Sequence, residues 1–188
     1  MYLFSMKIAV TGGIGVGKTS FSKLFKQEHV LYIDELCKNL YLPGSEMFDI
    51  FIKHCGVNII VDGVIDRNIL RKHYNYKCYE HEIAIINRNI KEHQDKHIVS
   101  VIDSARIIED KLTPFDILIV VDAPYELRKQ RAFQRSYMTE EIWDSIIKNQ
   151  LPQEEKVKYA NVIIKNDKDF DYLKEQFSEF LSCNKITF

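Results

Sequence analysis

The chain lacks any apolar run long enough to cross a bilayer as a helix, which excludes a helical membrane protein. Its opening, Met1-Tyr2-Leu3-Phe4-Ser5-Met6-Lys7, lacks the basic start and small-residue cleavage site of a secretory signal. The expected setting is therefore the cytoplasm, with no membrane partner, and Met1 and Met6 are both candidate starts. Cysteine pairing is missing too. Cys37, Cys55, Cys78 and Cys183 lie far apart, form no C-x-x-C, and with six scattered histidines give no zinc spacing. Reduced, structural thiols are expected. There is no charge excess: 26 basic and 27 acidic residues leave a net charge of −1. That balance excludes a general affinity for nucleic acid or anionic lipid, though basic residues can still cluster around an anionic substrate. Repeats, low-complexity tracts and linkers are absent as well, so 188 residues are read as one domain, a monomer or weak oligomer.

What is present is an ordinary globular composition, 46% hydrophobic and 28% charged. Short apolar runs at Lys7–Val10, Val30–Ile33, Ile98–Ile102, Asp116–Val121 and Asn161–Lys165 alternate with segments of helical period. Several are almost continuous Val and Ile, the pattern of strands buried on both faces of a parallel sheet. Thr19–Gln27 puts Phe21, Leu24 and Phe25 on one helix face. Thr139 caps a helix with Glu140 and Glu141 in its first turn and Ile142, Trp143, Ile146 and Ile147 as its apolar face. Phe170, Leu173, Phe177 and Leu181 form the stripe of a last helix. Such alternation predicts a doubly wound α/β sheet with right-handed crossovers. Residues 36–97 differ, being helix-rich and poor in strand signal, with turns at Pro43-Gly44 and Asp62-Gly63. They read as a helical substrate-binding insertion into a core of about residues 1–35 and 98–188.

Gly12-Gly13-Ile14-Gly15-Val16-Gly17-Lys18-Thr19 matches the phosphate-loop pattern G-x-x-x-x-G-K-[ST], between an apolar strand and an amphipathic helix. Glycine at 13, 15 and 17 lets backbone N–H groups, with that of Val16, turn inward around a phosphate without Cβ clashes. The helix start, near Lys18, Thr19 and Ser20, adds its positive dipole end. Lys18 can reach the β- and γ-phosphates, and the Thr19 hydroxyl is a magnesium ligand. These residues predict binding of ATP with Mg2+. By itself the motif leaves kinase, GTPase, ATPase and binding-only modules open.

A small GTPase needs a D-x-x-G switch and an N-K-x-D base reader. Asp103-Ser104-Ala105-Arg106 and Asn166-Asp167-Lys168-Asp169 fit neither. Motor and transporter ATPases are normally larger, which leaves a small-molecule kinase. After the strand ending at Val121, Asp122-Ala123-Pro124 leads into a helix carrying Arg128, Arg131 and Arg135, the last two spaced to share a face. Arginines at such a site close over a triphosphate and stabilise transferring charge. The same spacing also suits a solvated basic face.

Over nearly the whole chain the residues resemble the dephospho-coenzyme A kinase family. The resemblance is carried by the phosphate loop, by Pro43-Gly44, and by Asp62-Gly63-Val64-Ile65-Asp66-Arg67 with Leu70-Arg71. A late block completes it: Val120-Val121-Asp122-Ala123-Pro124, Arg131, Arg135, Gln150-Leu151-Pro152, Glu154-Glu155-Lys156 and Ala160 to Asn166. Three departures stand out. The family's D-x-D is represented by Asp34 alone, its H-P pair reads Asn87-Arg88, and its P-L-L reads Ala105-Arg106-Ile107, with Glu109 kept.

The resemblance implies a five-stranded P-loop kinase core with a helical CoA-binding insertion and a lid over about residues 125–155. It also implies ATP-dependent phosphorylation of the ribose 3′-hydroxyl of dephospho-CoA. Asp34 would be the general base, as suits a carboxylate at a strand's C-terminal end, with a helix N-cap as its alternative role. Arg131 and Arg135 would close over the transferred group, Asn166 would touch the adenine, and Arg67 and Arg71 would hold the acceptor's phosphates. Arg88 and Arg106 are further candidate cations for that acceptor. A kinase for another metabolite and a nucleotide-binding regulator without catalysis remain the alternatives.

Overall fold

Five Val- and Ile-rich segments form one parallel sheet in the computed structural model, which describes residues 5–112 and 114–187, and the side chains of all of these but Arg67, Asn68 and Arg71. The strands are β1 (Met6–Thr11), β2 (Val30–Tyr32), β5 (Val99–Asp103), β6 (Ile117–Asp122) and β7 (Val162–Lys165), ordered β2-β5-β1-β6-β7. β1 is central, with Ala9 opposite Ile102 on one side and Leu118 on the other. Ile8, Ala9, Val10, Ile119, Val120 and Val121 are fully buried, as helix-covered strands require. Asn161 exchanges two hydrogen bonds with Leu118 (2.8 and 2.9 Å), one through its side-chain oxygen, which extends the β6–β7 pairing by one step. All five sheet strands expected from the sequence are present. A two-stranded hairpin was not expected: β3 (Ile60–Val61) and β4 (Val64–Ile65) flank Asp62-Gly63, whose φ values of 50° and 80° make the tight turn of a hairpin.

The chain divides into two compact units, residues 1–31 with 93–188, and residues 32–92. The first holds the sheet, α1 (Lys18–Ser22), α6 (Tyr125–Phe133), α7 (Glu140–Asn149), α8 (Gln153–Lys158) and α9 (Phe170–Cys183). α1 is shorter than the amphipathic pattern of Thr19–Gln27 suggests. Its last bonds run three residues back, Leu24 to Phe21 and Phe25 to Ser22, which tightens and ends it. Its apolar residues are buried all the same. Phe25 makes edge contacts with Phe21, Phe177 and Phe180, at centroid distances of 5.7, 4.8 and 6.3 Å. On α9 the buried stripe includes Phe180, while Phe170 is exposed.

The second unit holds α2 (Ile33–Leu40), α3 (Glu46–Cys55), the hairpin, α4 (Arg67–His73) and most of α5 (Tyr76–Lys96). Ser45 caps α3, its hydroxyl accepting from the Phe48 N–H at 3.1 Å. Met47, Phe51, Ile59 and Cys78 are fully buried there, and Tyr41 stacks on Phe51 at 5.1 Å. Tyr41 and Tyr74 both donate to the Glu82 carboxylate, and burial with that carboxylate raises the Tyr74 hydroxyl pKa.

Truncating Phe25 to Ala removes a ring that packs the segment after α1 against Phe177 and Phe180 of α9. The expected loss is ~3–5 kcal/mol of unfolding free energy, measured by denaturant titration.

Candidate active site

The turn from β1 into α1 is built from positive-φ backbone: Gly15 at 80° and Gly17 at 87°. Space demands glycine there as well. A Cβ on Gly15 would lie 2.1 Å from the Arg128 carbonyl oxygen, and one on Gly17 would lie 2.0 Å from Asn166 Nδ2. A loop so deeply set must find partners for its own polar groups. Gly13 N–H donates to Gln153 Oε1 at 2.8 Å and Ile14 N–H to Gln150 Oε1 at 3.3 Å. The Ile14 carbonyl accepts from Arg128 Nε at 3.2 Å, and the Val16 carbonyl accepts from Asn166 Nδ2 at 2.7 Å. Gln153 is buried and uses its other end on the Val121 carbonyl (3.0 Å) and Asp122 Oδ1 (3.1 Å), which ties the loop to the end of β6. Burial pulls the Arg128 guanidinium below its ordinary pKa, against the raising influence of Glu154 and Asp122.

Lys18 is buried, and its ammonium donates to the Asp103 carboxylate at the C-terminal end of β5. Asp103 is also buried, and its second oxygen, Oδ2, has no partner. Thr19 and Ser20 are exposed at the start of α1, where first-turn N–H groups have no intrahelical acceptor. The Thr19 hydroxyl, one residue from Lys18, and the orphaned Asp103 oxygen are hard oxygen donors of the kind magnesium takes, with phosphates and water completing its shell. No cluster of three or more His, Cys, Asp or Glu with metal-binding spacing occurs among the described residues.

Behind this edge, Lys156 is fully buried and donates to Glu109 Oε1 and the Ala105 carbonyl, both at 2.7 Å. Burial lowers its pKa and Glu109 opposes the shift. Glu109 Oε1 also accepts from Leu151 N–H at 2.8 Å. Arg106 chelates Asp110 (3.1 and 2.8 Å) and donates to the Asn149 carbonyl at 2.6 Å. The segment after β5 is thereby fastened to residues 149–156, which supply Gln150 and Gln153 to the loop.

This geometry meets its relatives at the family level. The family model for dephospho-CoA kinase matches residues 6–171. The chain belongs to the dephospho-CoA kinase family. A dephospho-CoA kinase of Aquifex aeolicus is 32% identical over 177 residues, 85% of this chain and 88% of that protein. Among solved structures, a protein of Thermus thermophilus aligns with a TM-score of 0.76 at 21% identity, covering 97% of this chain and 98% of that one. A dephospho-CoA kinase of Campylobacter jejuni aligns at 0.56 and 22%, covering 94% and 98%. At these identities the structural likenesses carry the fold alone.

Against the dephospho-CoA kinase pattern, Gly13, Gly15, Val16 and Gly17 form the turn and Lys18, Thr19 and Ser20 open α1, with Gly13 serving the scaffold because its N–H is held by Gln153. Arg131 lies on α6 and donates to the Asn166 carbonyl at 2.8 Å. Arg135 does not extend that helix face. α6 ends at Phe133, and Arg135 sits in the following turn, exposed, with Tyr137 Oη at 3.2 Å. Asp34 lies in the second unit, exposed in the first turn of α2. It is not the N-cap, which is Tyr32. Arg67 and Arg71 fall on α4, with side chains outside the described residues. The extra cations are committed elsewhere: Arg106 to Asp110, and Arg88 to Glu46 within the second unit. Sequence reasoning weighed Asp103 only as a switch motif and passed over Gln153. An acidic residue ending a Val/Ile strand was the signal available for the first.

Lys18→Ala abolishes phosphoryl transfer, and it also leaves Asp103 buried without its cation, at ~3–5 kcal/mol of stability. The pair Lys18→Ala with Asp103→Asn regains the stability but not turnover. Thermal melts alongside a kinase assay measure both.

Proposed function

We propose that this chain transfers the γ-phosphoryl group of ATP to the ribose 3′-hydroxyl of dephospho-CoA. The observation that carries the reading is a P-loop whose lysine pairs with a buried strand-end carboxylate, in a chain of the dephospho-CoA kinase family. Lys18 turns from Asp103 toward the β- and γ-phosphates, and first-turn N–H groups of α1 take phosphate oxygens. Magnesium would be held by the Thr19 hydroxyl and, through water, by the free oxygen of Asp103. When bound, the ion neutralises charge on the phosphates.

Asp34 accepts the proton of the 3′-hydroxyl. The new oxygen–phosphorus bond forms as the bridge to the β-phosphate breaks, and ADP leaves. Exposure on the first turn of α2, directly after β2, suits a base that meets a diffusing substrate. Arg131 and Arg135 stabilise charge on the group in flight, Arg135 from the exposed turn after α6. The adenine of ATP is assigned to the neighbourhood of Asn166, whose Nδ2 is occupied by Val16. Arg67 and Arg71 are assigned to the acceptor's phosphates.

The described residues contain no helix long and apolar enough to cross a membrane. The test compares dephospho-CoA, AMP, dTMP, shikimate and gluconate as acceptors under one ATP-limited condition. Dephospho-CoA is expected to be fastest, and a faster reaction with any other acceptor overturns the substrate assignment. Asp34→Asn is expected to lower kcat ~100-fold with little change in KM for ATP. A loss confined to thermal stability would make Asp34 a structural residue.

A further inference from the structure

Cysteines that are far apart in the chain meet in the second unit. Cys55, the last residue of α3, and Cys78, in the first turn of α5, bring their sulfurs to 3.5 Å across 23 positions of sequence. Their neighbours hold them there. Cys78 N–H donates to Asn75 Oδ1 at 3.1 Å, and Cys55 Sγ has the His73 carbonyl as acceptor at 3.3 Å. One residue before Cys55 and three after Cys78, His54 and His81 stack at 5.7 Å, so the two helices are apposed over more than one side chain. Cys78 is fully buried and Cys55 is half-buried, so one thiol of the pair is reachable from solvent and the other is not. A disulfide needs sulfurs at about 2.05 Å, a closure of the size that side-chain rotation supplies.

We propose that Cys55 and Cys78 form a modification site, a dithiol that low-molecular-weight disulfides convert to an intramolecular disulfide. The Cys55 thiolate attacks a sulfur of the small disulfide, forming a mixed disulfide and releasing one small thiol. Cys78, giving up its proton, then attacks the Cys55 sulfur, forming the Cys55–Cys78 bond and releasing the second small thiol. Two protein thiols are oxidised and one small disulfide is reduced. The product fastens the end of α3 to the start of α5 and closes the hairpin and α4 into a covalent ring.

Speed is set by the first step. Burial and the neighbouring Cys78 push the Cys55 thiol up to about 11, so little thiolate exists at neutral pH. The pair is therefore slow to engage and quick to close once engaged.

The experiment incubates the full-length native protein with glutathione disulfide, quenches with an alkylating reagent, and maps thiols by peptide mass spectrometry. The expected wild-type product is a Cys55–Cys78 cross-linked peptide lighter by two hydrogens and reversed by dithiothreitol. Exposed Cys183 should keep a glutathione adduct. Cys78→Ser, with Cys78→Ala as a second variant, should accumulate glutathione on Cys55, and the initial rate should rise about tenfold per pH unit below the Cys55 pKa. A stable adduct on Cys55 of the wild type, or no cross-link while Cys183 is fully modified, would overturn the proposal.

Discussion

A polar backbone loop buried at the end of a hydrophobic sheet needs partners for its buried dipoles, and much of this structure is arranged around that requirement. Gly15 and Gly17 cannot carry side chains to answer the loop's own dipoles, since a Cβ there collides with Arg128 or Asn166. The loop's partners therefore come from far along the chain: Gln150, Gln153, Arg128 and Asn166. Each satisfied donor or acceptor is worth only about 1 kcal/mol, but each left open in the interior costs ~1–3 kcal/mol. Together the bonds fix the shape of the loop that leads into α1 and Lys18.

The partners are themselves held. Gln150 and Gln153 flank Leu151, whose N–H meets Glu109, and Glu109 is neutralised by the fully buried Lys156. A buried ion pair is weak evidence for stability but a strong device for fixing one arrangement. Here it fixes the distance between the segment after β5 and the stretch that braces the loop. Asp103, on the strand beside β1, adds a second buried pair with Lys18. Phosphate site and scaffold thus share charges, and a polar change in one is felt in the other.

The strands of the core were legible because burial on both faces leaves an unbroken Val/Ile signature, as in Leu118 to Val121. The Thr139 cap was legible because one residue type and its spacing suffice. The braces were not. Nothing local to Gln153 distinguishes it from a solvent-facing glutamine, and its partner Gly13 lies 140 positions away. Arg135 was read as continuing α6 because periodicity carries no mark for a helix that stops two residues early. The meeting of Cys55 and Cys78 was equally hidden, since their approach depends on how α3 and α5 are laid together.

Trp143 has one more consequence. It is the chain's single tryptophan, almost fully buried with Ala132 and Met138, with Ile14 of the phosphate loop packed on the same cluster and its indole N–H on the Tyr125 hydroxyl at 3.2 Å. All indole emission from this protein therefore arises within a cluster that includes Ile14. Excited in the indole band, where the ten tyrosines do not absorb, the protein reports on the packing around Ile14 without an added dye.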